Sequence, residues 1–432
     1  MGTVLSTLES FSQRDRHLAP READSSLWVM SLAAPSMIGW CDPASPILTV
    51  PQGRRYCKRL QLSCAKPWAM LRRRLLNATG PPIIARAEET TCGFGTDLME
   101  RAGLVAIASG LRRPIFFIDN AAEAMRAVVA PSEEIHAGEH AARSIAAAPF
   151  ADRTACEHAL AGAPRIPHKC MRTKRGRFVI EPRWEAANTY WDFRERRGRP
   201  GVVAASDLFA DRPLNFLSHN AIGAFGPLIA AASIPRLLRA GATMSSSPRC
   251  VTAKVLDRVS VSALARVVEL YAEIGTAARV VAVHVRRGDS AMHRECPECV
   301  APSEPDVHSS DRIETRELQE GLLRLNASLM PGRDGVFIAS DTRGGLKMAR
   351  QVLSGVRLTW QKHTASGAGK HSTQIRSVHA ATRLLADFVA IAIADEVQMF
   401  GSSSFSGCAA SLGGRVHGSG DEVFAAEQSP NS

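Results

Sequence analysis

Residues 279–289 read RVVAVHVRRGD, an apolar run that ends in two arginines, a glycine and an aspartate. Short apolar runs rich in β-branched residues are typical of strands buried on both faces. Similar runs recur further along the chain, separated by segments with helical periodicity. The predicted strands are 279–285, 335–340, 356–360 and 396–401, and the predicted helices are about 257–274, 314–330, 344–353 and 375–394, with a last helix from Ser404. This alternation predicts an α/β fold with a doubly wound parallel sheet.

In such sheets ligands bind at the carboxyl ends of the strands, so the residues that follow each run are candidates for function. The first strand end carries His284, Arg286, Arg287 and Asp289, with Gly288 allowing a tight turn. Planar guanidinium groups can pair bidentately with the oxygens of a diphosphate, while the aspartate would fix their orientation. A solvated turn with Asp289 in a surface ion pair explains the same residues, and the motif leaves both interpretations open.

The second and third strand ends also have polar groups just before a predicted helix. Ser340, Asp341 and Thr342 follow the second strand, and these residue types favour helix N-caps. After the third strand, Gly401 and the serines of residues 402–404 lead into the last helix. Free backbone N–H groups, hydroxyls and the positive end of a helix dipole together favour an anion site. A linker is the alternative for the serine cluster, although linkers seldom lie between an apolar strand and a helix.

Asp387 lies in the predicted helix before the last strand, four residues after Arg383. At this spacing the two side chains can form a surface ion pair. Alternatively, the carboxylate accepts hydrogen bonds from N1–H and the N2 amine of guanine, a pair of donors that no other base offers in that arrangement. Position in the sequence does not decide between these roles.

A similar unit precedes this region. The glycine loop 92–98 lies between an apolar run from Ile83 and a predicted helix at 97–110, and a predicted strand follows at 114–119. The loop has no third glycine before its helix, and no acidic residue is clearly placed about twenty positions later, which disfavours a nicotinamide dehydrogenase. The predicted organisation is a leader, stem or poorly ordered region at 1–80, an N-terminal α/β domain at 81–247, a nucleotide-sugar-binding domain at 248–415 and a flexible tail at 416–432.

The amino-acid composition limits the kinds of partner that the chain could bind. The net charge of +11 suggests an anionic partner, but scattered arginines and only three tyrosines disfavour nucleic acid. Cys296 and Cys299 have half the spacing of a zinc site without a second ligand pair, so we predict no metal there and expect a disulfide or two free thiols. The apolar segment 27–40 is interrupted by Pro35 and is shorter than the roughly twenty residues that span a bilayer. Membrane association through the N-terminal region stays open.

Taken together and in order, these residues resemble the fucosyltransferases that use GDP-fucose. The α1,6-fucosyltransferases and their bacterial chitin-oligosaccharide relatives are the nearest, and the protein O-fucosyltransferases are more distant. The resemblance covers about 90–120 and 279–415. Four blocks carry it: Cys92-Gly93-Phe94-Gly95-Thr96-Asp97-Leu98, His284-Val285-Arg286-Arg287-Gly288-Asp289, Phe337-Ile338-Ala339-Ser340-Asp341, and Asp387 followed by Ser402-Ser403-Ser404.

This resemblance implies a GT-B-like fold of two facing Rossmann-type domains, with no metal and no cofactor beyond the GDP-fucose donor. Arg286 would contact the β-phosphate and support the departing GDP, with Arg287 assisting. His284 and Asp387 would hold guanine. The remaining donor-binding residues would be Gly93, Gly95, Thr96, Asp289, Ser402, Ser403 and Ser404.

The chain also departs from the family pattern. Ser290 follows Asp289 where the α1,6 enzymes usually have a lysine, and Arg294 aligns with their candidate base, a glutamate, so the neighbouring Glu295 is the candidate here. The resemblance implies inverting transfer of fucose to a glycan or protein hydroxyl, in the Golgi or secretory pathway. The alternative is a catalytically inactive relative that binds a GDP-sugar or a glycan.

Overall fold

The computed structural model of the chain describes residues 36–78, 83–87, 94–118, 123–132, 152–161, 168–172, 178–182, 188–191, 214–218, 248–288, 291, 313–361, 375, 377–401 and 403–413. All of these belong to one compact unit that starts at Pro35. Gly93, Asp289, Glu295, the Cys296–Cys299 pair and Ser402 lie outside the described residues.

Helices and strands alternate along much of the chain. The helices are α1 (Pro51–Leu76), α2 (Phe94–Leu111), α3 (Glu123–Arg126), α4 (Arg153–Ala161), α5 (Pro248–Val255), α6 (Val261–Ile274), α7 (Thr315–Ser328), α8 (Arg343–Val352), α9 (Val378–Ile393) and α10 (Ser404–Gly413). The strands are β1 (Met37–Gly39), β2 (Ile83–Ala87), β3 (Ile115–Ile118), β4 (Val129–Ala130), β5 (His168–Arg172), β6 (Phe178–Pro182), β7 (Asn188–Trp191), β8 (Leu214–Ser218), β9 (Arg258–Ser260), β10 (Arg279–Val285), β11 (Asp334–Ser340), β12 (Arg357–Trp360) and β13 (Glu396–Phe400).

The C-terminal half contains a four-stranded parallel sheet in the order β12-β11-β10-β13. Helices cover both of its faces, and alternate residues of β10 show the division. Val280 and Ala282 pack in the core formed with α6 and α9, whereas Val281, Val283 and Val285 pack in the core formed with α7 and α8. Because both faces are buried, residues 280–283 in the middle of the strand are all apolar and do not alternate with polar residues. The predicted α/β fold with a parallel sheet is confirmed.

The helices that flank this sheet begin where a hydroxyl can cap them. The side chains of Ser260, Thr342 and Ser377 accept hydrogen bonds from backbone N–H groups in the first turns of α6, α8 and α9. A hydroxyl in this position satisfies one of the N–H groups that the helix leaves unpaired, and it is worth about 1 kcal/mol. The predicted cap between β11 and α8 therefore exists, and Thr342 provides it.

Other strands lie in the N-terminal half and at its junction with the C-terminal half. A second sheet of parallel strands has the order β3-β2-β8-β7, and α2 connects β2 to β3 as the glycine-loop pattern predicts. Strands β1, β9 and β4 form an antiparallel sheet, and β5 pairs with β6. The arrangement of two facing domains bounded at 81–247 and 248–415 stays a prediction.

Residues 36–78 differ from the leader or poorly ordered region predicted for 1–80. Helix α1 buries one face, with Tyr56, Leu60 and Cys64 in the main core. Its spacing is helical, but Pro67 and many arginines interrupt the apolar pattern and hide it in the sequence. Long-range partners hold the helix in place: disulfides Cys41–Cys57 and Cys64–Cys250, and an ion pair of Arg55 with Asp395 at 2.7 Å.

Within the described residues, no helix combines the length and the apolar character that a membrane span requires. A third disulfide joins Cys156 to Cys170, and the Cys408 thiol is free and buried in α10.

Candidate functional site

The strand ends that follow β10 and β13 lie against each other, because these strands are neighbours in the sheet. The backbone N–H of Arg286 donates a hydrogen bond of 2.7 Å to the carbonyl oxygen of Phe400. Gly401 follows with a φ of 89°, and a Cβ there would overlap the carbonyl oxygen of Arg286. Only glycine tolerates both that backbone angle and this close approach. The sheet therefore brings the arginine motif to the start of the serine cluster.

Asp341 holds the turn that follows β10. Its carboxylate accepts hydrogen bonds from the backbone N–H groups of Arg287, at 2.9 Å, and Gly288, at 3.1 Å. It also pairs with the guanidinium of Arg286 at 3.3 Å, and only 4% of the Asp341 side chain is exposed. Gly288 has a φ of 85°, as the predicted tight turn requires. One buried carboxylate thus fixes both the backbone of the turn and the charged group of Arg286.

The two arginines of the motif leave the strand in different directions. The Arg286 side chain is 23% exposed and reaches Asp341. The Arg287 side chain donates a hydrogen bond of 2.9 Å to the Thr315 hydroxyl at the start of α7. Arg286 is the arginine that contacts Gly401, just before the serine cluster, while Arg287 contacts the start of α7.

Helix α10 begins at Ser404, three residues after Gly401. The Ser403 carbonyl accepts a hydrogen bond of 2.9 Å from the Gly407 backbone, so the first helical turn is formed there. The first N–H groups of a helix have no partner within it, and its dipole makes this end positive. The Arg286 guanidinium and the N-terminus of α10 thus both lie at the carboxyl ends of the strands. This combination suits a phosphate group.

The start of α2, which carries Gly95 of the predicted glycine loop, reaches the same place. A Cβ on Gly95 would overlap the Ser404 carbonyl oxygen and lie 2.5 Å from the Phe405 backbone nitrogen. The first turns of α2 and α10 are therefore in direct contact, and a larger residue at position 95 would separate them. Thr96 lies in the first turn of α2, and its side chain is not among those described.

Aromatic rings connect these elements beneath the surface. Phe405 lies 5.3 Å from Phe388 and 5.8 Å from His284, measured between ring centroids. Phe94, the first residue of α2, makes an edge contact with Phe388 at 5.2 Å. Such pairs contribute about 0.5–1.5 kcal/mol each beyond burial. The rings couple the start of α2 to α9, α10 and β10.

His284 is buried, and its Nδ1 atom has no hydrogen-bond partner among the described residues. Burial, together with a smaller effect of the positive charge of Arg286, lowers the pKa of the imidazole to about 3. The ring is therefore neutral near pH 7. A neutral ring offers one donor and one acceptor nitrogen, and an unpaired buried nitrogen is available to a ligand.

Asp387 lies on α9, partly buried, and accepts a hydrogen bond of 2.6 Å from the Gln361 amide. Burial raises the pKa of its carboxyl more than this hydrogen bond and the charges of Arg383 and Arg266 lower it, and the resulting pKa is about 7. The charge of Arg383 thus contributes less than burial does. Gln361 follows β12 directly. It is therefore a strand-end residue of the kind that the sequence pattern marks as a candidate for function.

Three features of this site were not predicted from the sequence. They are the turn-holding role of Asp341, the contact of Gln361 with Asp387 and the packing of Phe405 against His284. No group of three or more His, Cys, Asp or Glu side chains in the described ranges is positioned to bind a metal ion.

A groove of about 530 Å³ that includes Lys347, Arg350 and Trp360 lies along the edge strand β12 and α8. It is lined by neither Arg286 nor the serine cluster.

No protein-family model matches the chain, and no curated protein matches it. A mutant of Arabidopsis thaliana FUT1 in complex with GDP matches at 12% identity and a TM-score of 0.43, covering 86% of this chain and 78% of that one. The α1,6-fucosyltransferase NodZ, co-crystallized with GDP, matches at 14% identity and a TM-score of 0.36, covering 77% of this chain and 92% of that one. POFUT1 in complex with GDP-fucose matches at 12% identity and a TM-score of 0.33, covering 78% and 95%.

These proteins are fucosyltransferases, the family that the sequence blocks resemble. Likeness of this strength assigns no activity, which has to come from the residues of the chain itself.

Proposed function

We propose that this chain is a glycosyltransferase that transfers fucose from GDP-fucose to a hydroxyl of a glycan or protein, with inversion and without a metal ion. The observation that carries the proposal is the contact between Arg286 and Gly401, which lies three residues before the start of α10. The backbones of Arg286 and Gly401 meet at the carboxyl ends of the neighbouring parallel strands β10 and β13, and α10 begins three residues after Gly401. In open α/β sheets this is where nucleotides bind.

The charges at this edge match those of a departing diphosphate. When the glycosidic bond to GDP breaks, negative charge develops on the β-phosphate, and a positive group held nearby stabilises the transition state more than the ground state. The Asp341 carboxylate holds Arg286 before the substrate arrives. This preorganisation reduces the rearrangement that the reaction would otherwise require. Ser402, Ser403 and Ser404 would contribute hydroxyls and backbone N–H groups to the same phosphates.

The nucleoside would lie on the side of the sheet that carries His284 and Asp387. The unpaired Nδ1 of His284 gives a neutral hydrogen-bonding group, and the Asp387 carboxylate gives acceptors for the donors of guanine. Gly93, Gly95 and Thr96 would approach the donor from the N-terminal half. Asp289 would orient the arginines.

Inverting transfer needs a base that removes the proton of the acceptor hydroxyl. We assign this role to Glu295, which lies outside the described residues. Asp341 is a poor candidate, because its oxygens already accept hydrogen bonds from two backbone amides and pair with Arg286. Arg287 would assist Arg286 through its charge.

Disulfides support the proposed compartment. Cys41–Cys57, Cys64–Cys250 and Cys156–Cys170 are bonded, and structural disulfides persist in oxidising compartments. We therefore propose the secretory pathway, and the Golgi within it, as the place of action. Membrane association through the N-terminal region remains part of this proposal.

Donor binding and turnover test the assignment together. We expect the purified chain to bind GDP and GDP-fucose more tightly than UDP-sugars or NAD, measured by calorimetry, and to release GDP when glycan acceptors are added. We expect Arg286→Ala to lower kcat by about 10²- to 10³-fold, the usual effect of removing one preorganised group that stabilises developing charge.

Arg316→Ala is the matched control, because Arg316 pairs with Glu320 on an exposed helix surface and should not affect turnover. Unchanged turnover in Arg286→Ala would remove the assigned site. Tight GDP binding without fucose transfer to a wide panel of glycans and glycoproteins would favour the inactive relative.

A further inference from the structure

Gln361 has an arrangement that the roles assigned above do not explain. Its side chain is buried, and its amide nitrogen donates hydrogen bonds to the Arg383 carbonyl, at 2.7 Å, and to the Asp387 carboxylate, at 2.6 Å. A backbone carbonyl and a carboxylate both accept, so the NH₂ group has to face them. The Gln361 carbonyl oxygen, Oε1, therefore points away from both partners.

That oxygen is buried and has no hydrogen-bond partner among the described residues. Leaving a buried acceptor unpaired costs about 1–3 kcal/mol, which is why such atoms are rare in folded proteins. A bound ligand that donates a hydrogen bond would remove this cost. His284 Nδ1 is a second unpaired buried atom on the same sheet.

The strand register relates these two residues. His284 is opposite Ala339, and Ile338 is opposite Trp360, so the next residue, Gln361, continues beside Ala339. Registered partners in a parallel sheet project from the same face. His284, Ala339 and Gln361 thus follow one another across three strands, over about 10 Å at the usual strand spacing. The smallest of the three side chains lies in the middle.

We propose that Gln361 positions Asp387 and determines nucleobase specificity. Its amide nitrogen holds the Asp387 carboxylate so that the carboxylate accepts from N1–H and the N2 amine of guanine. Its Oε1 accepts the second hydrogen of that amine. The inference rests on the proposed use of GDP-fucose, and it adds a residue to the base-binding group of that site.

Inosine diphosphate separates these contacts, because hypoxanthine keeps N1–H and O6 but lacks the N2 amine. A site with Asp387 and Gln361 in these positions loses one partner of the carboxylate and the only partner of Oε1 when it binds IDP. Hydrogen bonds to charged groups are worth about 1.5–3 kcal/mol, so we expect GDP to bind about 10- to 100-fold more tightly than IDP.

The positioning role has a separate signature in pH. Asp387 offers acceptors to both guanine donors only when ionised, because a protonated carboxyl turns one of its oxygens into a donor. Its pKa is about 7, so guanine affinity should fall as the pH drops below about 7. The Gln361 hydrogen bond lowers this pKa, as do Arg383 on the same helix and Arg266 on α6. Removing the hydrogen bond raises the pKa, and the midpoint of the loss of affinity should move to higher pH.

Calorimetry with GDP and IDP between pH 5.5 and 8.5 tests the inference on the full chain. We expect Gln361→Met to reduce the GDP preference by about 3- to 10-fold, the value of one neutral hydrogen bond, and to raise the pH midpoint. The nucleotide phosphates titrate in the same way with the wild type and with Gln361→Met, so their contribution cancels when the two pH midpoints are compared. Gln351→Met is the control, because Gln351 is exposed on α8 and should leave both quantities unchanged.

The outcomes are distinct. If Gln361→Met keeps the wild-type GDP preference and pH midpoint, the inference is wrong while the proposed donor stands. If the wild type does not bind GDP, the proposed function fails and this inference fails with it. If the methionine variant does not fold, Gln361→Asn takes its place, and an unchanged GDP preference and pH midpoint in that variant overturn the proposal. Equal affinities of the wild type for GDP and IDP overturn it as well.

Discussion

Asp341 accepts hydrogen bonds from two backbone amides and pairs with Arg286, so a single carboxylate organises the turn after β10. Its neighbour Thr342 caps α8. In the sequence the two residues look like one helix-capping group, because both types favour N-caps. The fold gives them separate tasks, since Asp341 faces a loop that is 54 residues away along the chain.

We predict that Asp341→Asn weakens both the turn and its function. The amide has the size of the carboxylate, but it loses the charge that holds Arg286 and offers only one acceptor oxygen. Hydrogen bonds to charged groups are worth about 1.5–3 kcal/mol, so the free energy of unfolding should fall by about that amount. Fucose transfer should fall by at least about 10-fold because Arg286 is less well held. Urea denaturation and measurement of kcat/KM provide the two readouts.

Asp257→Asn is the matched control, because Asp257 makes a partly exposed ion pair with Lys254 three residues away in sequence. Pairs of this kind are worth about 0–1 kcal/mol. Equal losses of stability and activity in the two variants would show that Asp341 has no special role.

At the scale of elements, the contact between α2 and α10 links the two halves of the chain. Gly95 allows the first turn of α2 to touch the backbone of Ser404 and Phe405. Phe94, Phe388 and Phe405 pack beneath that contact. The start of each helix is thereby fixed relative to Arg286, which lies against Gly401. Geometry at the proposed phosphate site therefore depends on how closely these two helices approach.

We predict that Gly95→Ala lowers donor affinity and turnover. The added methyl group would overlap the Ser404 carbonyl oxygen, so the helices have to separate. Overpacking costs about 1–3 kcal/mol, whereas the better helix propensity of alanine returns about 1 kcal/mol. The free energy of unfolding should therefore fall by about 0–2 kcal/mol. A displacement near 1 Å can lower the rate by about 10²-fold. Calorimetry with GDP and steady-state kinetics would measure the effect.

Gly355→Ala is the control for this change, because a Cβ at Gly355 meets no atom within 4 Å and its φ is not in the positive range. Normal kinetics in Gly95→Ala would mean that the helix contact does not shape the donor site.

At the scale of the whole molecule, two disulfides attach α1 to other parts of the chain, and they close loops of very different length. Cys41–Cys57 spans 16 residues and Cys64–Cys250 spans 186. In the chain-entropy account, a disulfide stabilises by restricting the unfolded chain, and the effect grows slowly with loop length. The Trp68 indole adds a hydrogen bond of 2.8 Å to the Cys250 carbonyl, which strengthens the same junction of α1 and α5.

We predict that the double variant Cys64→Ala, Cys250→Ala loses more stability than Cys41→Ala, Cys57→Ala. The entropic account gives about 5 kcal/mol for the longer loop and about 3 kcal/mol for the shorter. Urea denaturation at 25 °C without reductant compares the two, and mass spectrometry confirms which bonds are formed. A smaller loss for the longer loop would indicate that the disulfide is strained or that the unfolded chain is already restricted.

Much of the C-terminal half follows from the sequence. Predicted strands at 279–285, 335–340, 356–360 and 396–401 match β10 to β13 within a residue at each end, and the predicted helices between them match within a few residues. These features are local, because apolar residues at strand or helix spacing have to face the core. Because ligands bind at the carboxyl ends of parallel strands, the sequence also marks Arg286 and the serine cluster as candidates.

The sequence does not determine which strand ends meet. Arg286, Asp341 and Gly401 come together only because the strand order is β12-β11-β10-β13 and the registers align their ends. The same is true of Gln361 and Asp387, and of α1, whose apolar face needs α5 and α9 as partners. Periodicity specifies which face of an element is buried, but it carries no information about the distant residue that covers it. Packing of the whole chain decides that.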